Sequence, residues 1–375
     1  MSKIQMVDLK RQYEDIKEEI DFAIQKVINE TAFINGPQVK QFAQELATYH
    51  NIDNVVPCGN GTDGLQVALM SLGLKPGDEV IVPAFTYVAT IEVMALLGLK
   101  PVFVDVDENN FNIDIEHLEA AITKNTKCVV PVHLYGQCAN MEAIVKIAEK
   151  YNLYTVEDCA QAIGADYYFT DNSTKKAGTI GTIGVTSFFP SKNLGCYGDG
   201  GALFIADDEL AGKVRMIANH GQNKKYYHEI VGVNSRLDTL QAAILSVKLK
   251  KLNYYIERRN SVAAFYDEAF KGNEQLTIPA RVKYSSHVFH QYTLKIKGGK
   301  RDALKERLAE KGIPSMVYYP IPLHMQNAYK EFYSGKEDLG VSEALSKEVL
   351  SLPIHTEMTD EELEYITSHV LKALV

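Results

Sequence analysis

Tryptophan is absent from the chain, and aromatic bulk comes instead from 21 tyrosines and 14 phenylalanines. Long apolar runs are absent too. None approaches the roughly 20 residues that span a bilayer, and the charged amphipathic stretch around Leu9 to Ile20 contains no apolar signal core. Cysteine is sparse: Cys58, Cys128, Cys138, Cys159 and Cys196 are odd in number and form no C-x-x-C pair. That argues against a disulfide framework or a zinc site and for a reducing compartment. An excess of positive charge is also lacking, and a net charge of -9 leaves no general basic face to displace counterions from nucleic acid. The expectation is a cytoplasmic protein that takes neither membrane nor nucleic acid as partner and holds no metal. A few local Arg and Lys residues still suffice for one anionic small molecule. The 375 residues, 46% hydrophobic, are enough for one large domain and a smaller second one.

From about Asn54 to Asp207 short apolar runs alternate with helical periodicity. Strands are expected from Val55 to Pro57, Glu79 to Pro83, Pro101 to Asp105, Cys128 to Val132 and Leu153 to Val156. Helices are expected from Thr62 to Leu72, Val88 to Leu97 and Met141 to Tyr151, and a hairpin-like pair of strands from Val185 to Phe189 and Ala202 to Ile205. Such β-α-β alternation implies an α/β fold with a mainly parallel sheet and helices on both faces. Arg236 to Phe270, with no internal Pro or Gly, reads as one long helix bridging to a smaller α+β unit. In that unit strands are expected from Val288 to Ile296 and Ser315 to Tyr319, and helices from Arg301 to Lys311 and Asp360 to Leu374. The expected division is a large domain at 1–245 and a small one at 246–375.

Ligands of parallel α/β sheets sit beyond the carboxyl ends of the strands, and three polar clusters fall at such ends. Gly59-Asn60-Gly61-Thr62-Asp63 lets backbone N–H groups approach a phosphate at a helix N-terminus; taken alone it is equally a turn with a helix cap. It is neither a Walker loop nor a dinucleotide loop. In Glu157-Asp158-Cys159-Ala160-Gln161 a carboxylate is placed to pair with a protonated pyridine nitrogen and Gln161 to reach a ring oxygen, although capping the next helix is by itself the commoner role for Asp158. Ser187-Phe188-Phe189-Pro190-Ser191-Lys192-Asn193-Leu194-Gly195 sets a lysine among aromatics and glycine, where partial desolvation lowers its pKa toward a free amine. Most lysines are simply solvated surface charges, and position alone does not decide.

Together these clusters resemble the DegT/DnrJ/StrS aminotransferases, which use pyridoxal 5'-phosphate (PLP) on nucleotide-linked keto-sugars. The resemblance runs over nearly the whole chain: Phe33-Ile34-Asn35-Gly36-Pro37, Gly61-Thr62-Asp63, Pro83-Ala84-Phe85-Thr86-Tyr87, Pro131-Val132-His133-Leu134-Tyr135-Gly136, the Asp158 and Lys192 clusters, Asn219-His220-Gly221 and Asn234-Ser235-Arg236. It implies the aspartate-aminotransferase fold, fold type I. Lys192 and Asp158 would be catalytic, Lys192 as the Schiff-base lysine and Asp158 facing the pyridine nitrogen. Gln161 would meet the phenolic oxygen and Phe85 stack on the ring. Gly61, Thr62 and Ser187 would bind the phosphate, joined by Asn234 of a neighbouring subunit, with Arg236 beside it facing substrate, so that active sites are shared in a homodimer.

The segment from Tyr318 to His324 resembles the family's sugar-facing stretch and implicates Tyr318, Tyr319 and His324 in substrate binding. Here Tyr318 stands where members often have His. His133, after a strand, is a candidate substrate contact or a structural histidine. His287 and His290, three apart in an expected strand, point to opposite faces and make no metal pair. Lys192 is intact, unlike in the keto-sugar dehydratases of the family, which carry His there. The run Pro190 to Gly195 with Gly198-Asp199-Gly200-Gly201 looks like members acting at C3. The implied reaction takes an amine from L-glutamate to C3 of UDP-2-acetamido-2-deoxy-3-keto-glucuronate, for surface polysaccharide. Alternatives are a dTDP-3-keto-6-deoxyhexose, a 4-keto-sugar, or a non-catalytic PLP-binding regulator.

Overall fold

A computed structural model describes residues 3–374. Its strands are Asn54–Cys58 (β1), Glu79–Pro83 (β2), Lys100–Val104 (β3), Thr126–Val129 (β4), Tyr154–Asp158 (β5), the small hairpin Asp166–Tyr168 (β6) and Thr174–Lys176 (β7), Ile183–Ser187 (β8) and Gly201–Ile205 (β9). Seven of them form one sheet in the order β1-β9-β8-β5-β4-β2-β3. β8, β5, β4, β2 and β3 pair in parallel, and β9 alone runs antiparallel to its two neighbours. β1, β5 and β8 therefore end on one edge of the sheet, the edge where an α/β fold binds its ligand.

Side chains along these strands alternate between two cores. Ile81 and Val129 pack with Phe42, Leu46, Met141 and Ile144 on one face. Their neighbours Val80, Val82, Cys128 and Val130 pack with Leu65, Leu69, Val214 and Ile217 on the other. Burial on both faces explains why these strands read as continuous apolar runs rather than as alternating ones. The cysteines belong to these cores; all five are free and buried.

The remaining strands are the hairpin Gln222–Lys224 (β10) and Tyr227–His228 (β11), then Leu276–Thr277 (β12), Tyr292–Ile296 (β13) and Val349–Leu352 (β14). The last three form an antiparallel sheet in the order β12-β13-β14. Its core gathers Val262, Tyr266, Leu294, Leu304 and Ile366, together with Ile4 from the start of the chain. Among the described residues no helix is long and apolar enough to cross a membrane.

Three sequence expectations change. The helix from Arg236 to Phe270 is two, Thr239–Leu249 and Leu252–Phe270. Ala242, Leu245 and Leu249 serve the large-sheet core, whereas Val262, Tyr266 and Phe270 serve the small-sheet core. The chain turns at Lys250-Lys251 to reach both without Pro or Gly, and residue 245 lies inside the first helix. The strand expected from Val288 begins only at Tyr292, because Phe289 takes a left-handed φ of 45°. Ser315 to Tyr319 contributes a single bridge, Met316 to Ser351, at the sheet's edge.

Candidate active site

β5 ends in two carboxylates with different fates. Glu157 is fully buried on the core side, where it meets His133 Nε2 at 2.9 Å. It also accepts the N–H groups of Gly178 (3.0 Å), Ile180 (2.7 Å) and Gly181 (2.5 Å). Burial alone would raise its pKa, but His133 and these N–H groups outweigh that and hold it below the ordinary value. Since His133 Nδ1 accepts the Ala139 N–H at 3.1 Å, its proton sits on Nε2 and both ring nitrogens are used. His133 is a structural histidine and does not reach the ligand cavity.

Asp158 points the other way, into a cavity of about 810 Å³. Its oxygens accept the Ala160 N–H at 3.1 Å and the Thr90 hydroxyl at 3.2 Å. Burial raises its pKa, opposed by the Ala160 N–H, Lys192 and Thr90. Lys192, in the loop after β8, lines the same cavity. Its backbone N–H bonds the Phe189 carbonyl at 2.8 Å, and the Cys196 N–H closes the loop on the Phe188 carbonyl at 2.8 Å. Desolvation pushes the Lys192 amine down to about 8, with the Asp158 carboxylate only partly offsetting it. An amine poised so close to neutrality can act as nucleophile and proton carrier.

The helix Gly61–Ser71 starts at the same cavity, capped by Asn60, whose side chain accepts the Asp63 N–H at 2.8 Å. Gly61, Thr62 and Ser187 all lie on the wall. A Cβ on Gly61 would come within 2.8 Å of Ser187 Cβ, so only glycine lets the helix N-terminus and β8 meet here. The result is an anion cradle of free N–H groups and a hydroxyl. Ser235 binds this region from a distance in sequence, donating to Asp63 at 2.7 Å and accepting the Gly59 N–H at 2.9 Å.

Not every expected residue faces the cavity. Gln161 does, but its amide is engaged, accepting the Tyr135 N–H at 2.7 Å and donating to the Tyr319 hydroxyl at 3.0 Å. Tyr318 and Tyr319 line the wall. Phe85 is fully buried in a cluster with Phe111, Leu134 and Tyr135. Tyr87 and Phe189 are on the wall instead, Tyr87 being 56% exposed and 6.1 Å from the Tyr319 ring. His324 is also off the wall, buried between Phe103 and Tyr333 with Nε2 at 3.3 Å from Glu343. Asn234 is exposed and bridges to Asn219 outside the cavity, and Arg236 is half-buried beside it. Thr90 carried no sequence signal, and His290 was read only as a strand residue; His290 joins the wall with Lys192, while His287 stacks on Phe289 at 3.8 Å elsewhere. Among the described residues no group of His, Cys, Asp and Glu is arranged to hold a metal.

A model of the DegT/DnrJ/EryC1/StrS aminotransferase family matches residues 14–371. The chain is 47% identical over 352 residues to a UDP-2-acetamido-2-deoxy-3-oxo-D-glucuronate aminotransferase of Pseudomonas aeruginosa, covering 94% of this chain and 95% of that one. It is 46% identical over 369 residues to a pleiotropic regulatory protein of Geobacillus stearothermophilus, covering 98% and 97%. Other relatives are named as transaminases of dTDP-linked 3-amino sugars. The solved structure of NtdA from Bacillus subtilis with bound cofactor PMP matches at a TM-score of 0.92 and 33% identity, covering 100% of this chain and 86% of that one.

In cofactor-free protein, modification of Lys192 by an amine-reactive reagent, followed by peptide mass spectrometry across pH, should show a midpoint near 8. Because Asp158 raises the lysine's pKa, Asp158→Asn should move that midpoint lower. A midpoint at the ordinary lysine value would mean that the cavity does not desolvate the amine.

Proposed function

The chain belongs to the DegT/DnrJ/EryC1/StrS aminotransferase family, and on that premise we propose that it moves an amino group from L-glutamate to C3 of UDP-2-acetamido-2-deoxy-3-keto-glucuronate. Sugar aminotransferase activity and dependence on PLP come with the family and its solved members. When bound, the cofactor supplies a protonated pyridine ring that draws electrons from the carbon exchanging its amine.

The observation that carries the reading is one cavity holding a desolvated lysine, a buried carboxylate and an anion cradle. Those three groups match an aldehyde, a ring nitrogen and a phosphate on one small molecule. Lys192 Nζ would hold the cofactor and, once released, carry a proton to and from the reacting carbon. The Asp158 carboxylate would keep the ring nitrogen protonated. The N–H groups at Gly61 and Thr62, with the Ser187 hydroxyl, would bind the phosphate. Tyr87, on the wall two residues along, would take over the ring-stacking role expected of Phe85, which is buried away from the cavity. Gln161 would act through, or exchange, its bond to the Tyr319 hydroxyl.

Asn234 and Arg236 stay off this chain's cavity, which favours their serving the site of a partner subunit in a homodimer. Arg236 then offers a planar fork for the uronate carboxylate. Support for C3 and the uronate comes from the Lys192 loop and from the name of the Pseudomonas relative. The dTDP-linked relatives mark the nearest alternative. The Geobacillus relative's name favours a second reading, a regulator that binds PLP without turnover.

Product NMR should place the new amine on C3; an amine on C4 refutes the regiochemistry, and cofactor binding without any turnover of keto-sugar nucleotides favours the regulator. Mixing inactive Lys192→Ala with inactive Arg236→Ala subunits should restore about a quarter of wild-type activity, because half of randomly mixed dimers gain one intact site. No recovery despite demonstrated exchange counts against shared sites.

A further inference from the structure

One buried cation has no part in the chemistry proposed above. Lys248 stands on the helix Thr239–Leu249 and is only 1% exposed. It does not line the cavity of Lys192, and among the described residues no carboxylate offsets its burial. Taking an ammonium out of water is costly unless a counter-charge meets it. A leucine or methionine would fill the same space without that cost, so packing alone does not account for the lysine.

What Lys248 touches does account for it. Its Nζ donates to the Gly195 carbonyl at 2.5 Å and lies over the Tyr197 ring, 5.2 Å from the centre. Gln241, two turns earlier on the same helix, grips Tyr197 as well, accepting its N–H at 2.8 Å and donating to its carbonyl at 3.3 Å. The loop so held is the one that carries Lys192, three residues before Gly195. A second tie lies between them, where Asn193 Nδ2 donates to the Val288 carbonyl at 2.8 Å. The buried Gly195 carbonyl has no other donor among the described residues. Without Lys248 it would be an unpaired acceptor in the core, and the turn would relax to find a partner.

We propose that Lys248 is a positioning residue for Lys192: from behind the loop it holds the Gly195 carbonyl, and so keeps the Lys192 amine at the depth where the cavity desolvates it. The inference rests on Lys192 as the cofactor lysine and adds what fixes its place. Burial and Asp158 alone set the pKa of Lys192, so the charge of Lys248 has no direct part in it. A change at Lys248 that shifts the titration of Lys192 must therefore act by moving the loop.

The test is pH-dependent labelling of Lys192 in cofactor-free full-length protein, read by peptide mass spectrometry, with thermal unfolding as a check on each variant's fold. Lys248→Met keeps the length of the side chain and loses the donor. It should raise the Lys192 midpoint by about one pH unit from its value near 8, as solvent reaches the amine. Lys248→Gln, with a shorter and neutral donor, should raise it by less. Lys250→Met, at an exposed lysine two residues on, should leave it unchanged. A midpoint that does not rise in the folded Lys248 variants overturns the proposal. So does loss of the fold in both of them, which would make Lys248 a residue of the core alone, and so does an equal rise in Lys250→Met, which would trace the effect to net charge. Borohydride treatment of PLP-loaded wild-type protein keeps the two readings apart. If it fixes no cofactor on Lys192, the cofactor assignment fails, while the midpoints still decide the role of Lys248.

Discussion

The buried carboxylate of Glu157 is the fixed point from which the cavity is laid out. An isolated charge in that place would be prohibitively costly. Four donors surround it: His133 from the loop after β4, and the N–H groups of Gly178, Ile180 and Gly181 from the loop before β8. These bonds pull the two segments onto the end of β5. Neighbouring residues on a strand face opposite ways, so with Glu157 pinned toward the core Asp158 must face the cavity. The parallel register Asp158 to Val185 then sets how far Ser187 and the Lys192 loop stand from it.

Around the Lys192 loop, positive charges are solvated by carbonyls rather than by acids. Lys248, almost fully buried, donates to the Gly195 carbonyl at 2.5 Å, and burial pushes its amine down to about 8. Arg259 donates to the carbonyls of Phe289, His290 and Ile354, and burial pushes it down to about 10. Neither cation meets a carboxylate in these contacts; backbone carbonyls take the place of solvent around both. The loop itself has little freedom. A Cβ on Gly195 would lie 2.3 Å from the Pro190 carbonyl oxygen, a closure that only glycine permits. Rigidity and desolvation thus come from the same packing.

Much of this was legible in the sequence because it depends on local pattern. Apolar runs separated by helical periods give a parallel sheet, and polar clusters at strand ends give the ligand edge; Asp158, Gln161, Ser187 and Lys192 all reach it. What was not legible depends on tertiary geometry. Phe85 and Tyr87 are both aromatic and two residues apart, and only the packing of Phe111 and Leu134 decides which is buried. His324 looks like a polar residue beside two tyrosines, yet Phe103 and Tyr333 enclose it. His290 was read as a strand residue, but the left-handed Phe289 delays the strand and turns the chain to the cavity wall. The break at Lys250-Lys251 has no Pro or Gly to mark it, since two separate cores demand it.

The account stands or falls on Lys192 as the residue that holds the cofactor. Borohydride reduction of the PLP-loaded protein, followed by peptide mass spectrometry, measures this directly. The result expected is loss of the cofactor's visible absorbance with one pyridoxyl mass on the peptide containing Lys192, and no labelling in Lys192→Ala. A label on Lys248 or any other lysine, or bound cofactor that borohydride never fixes to the chain, would contradict it.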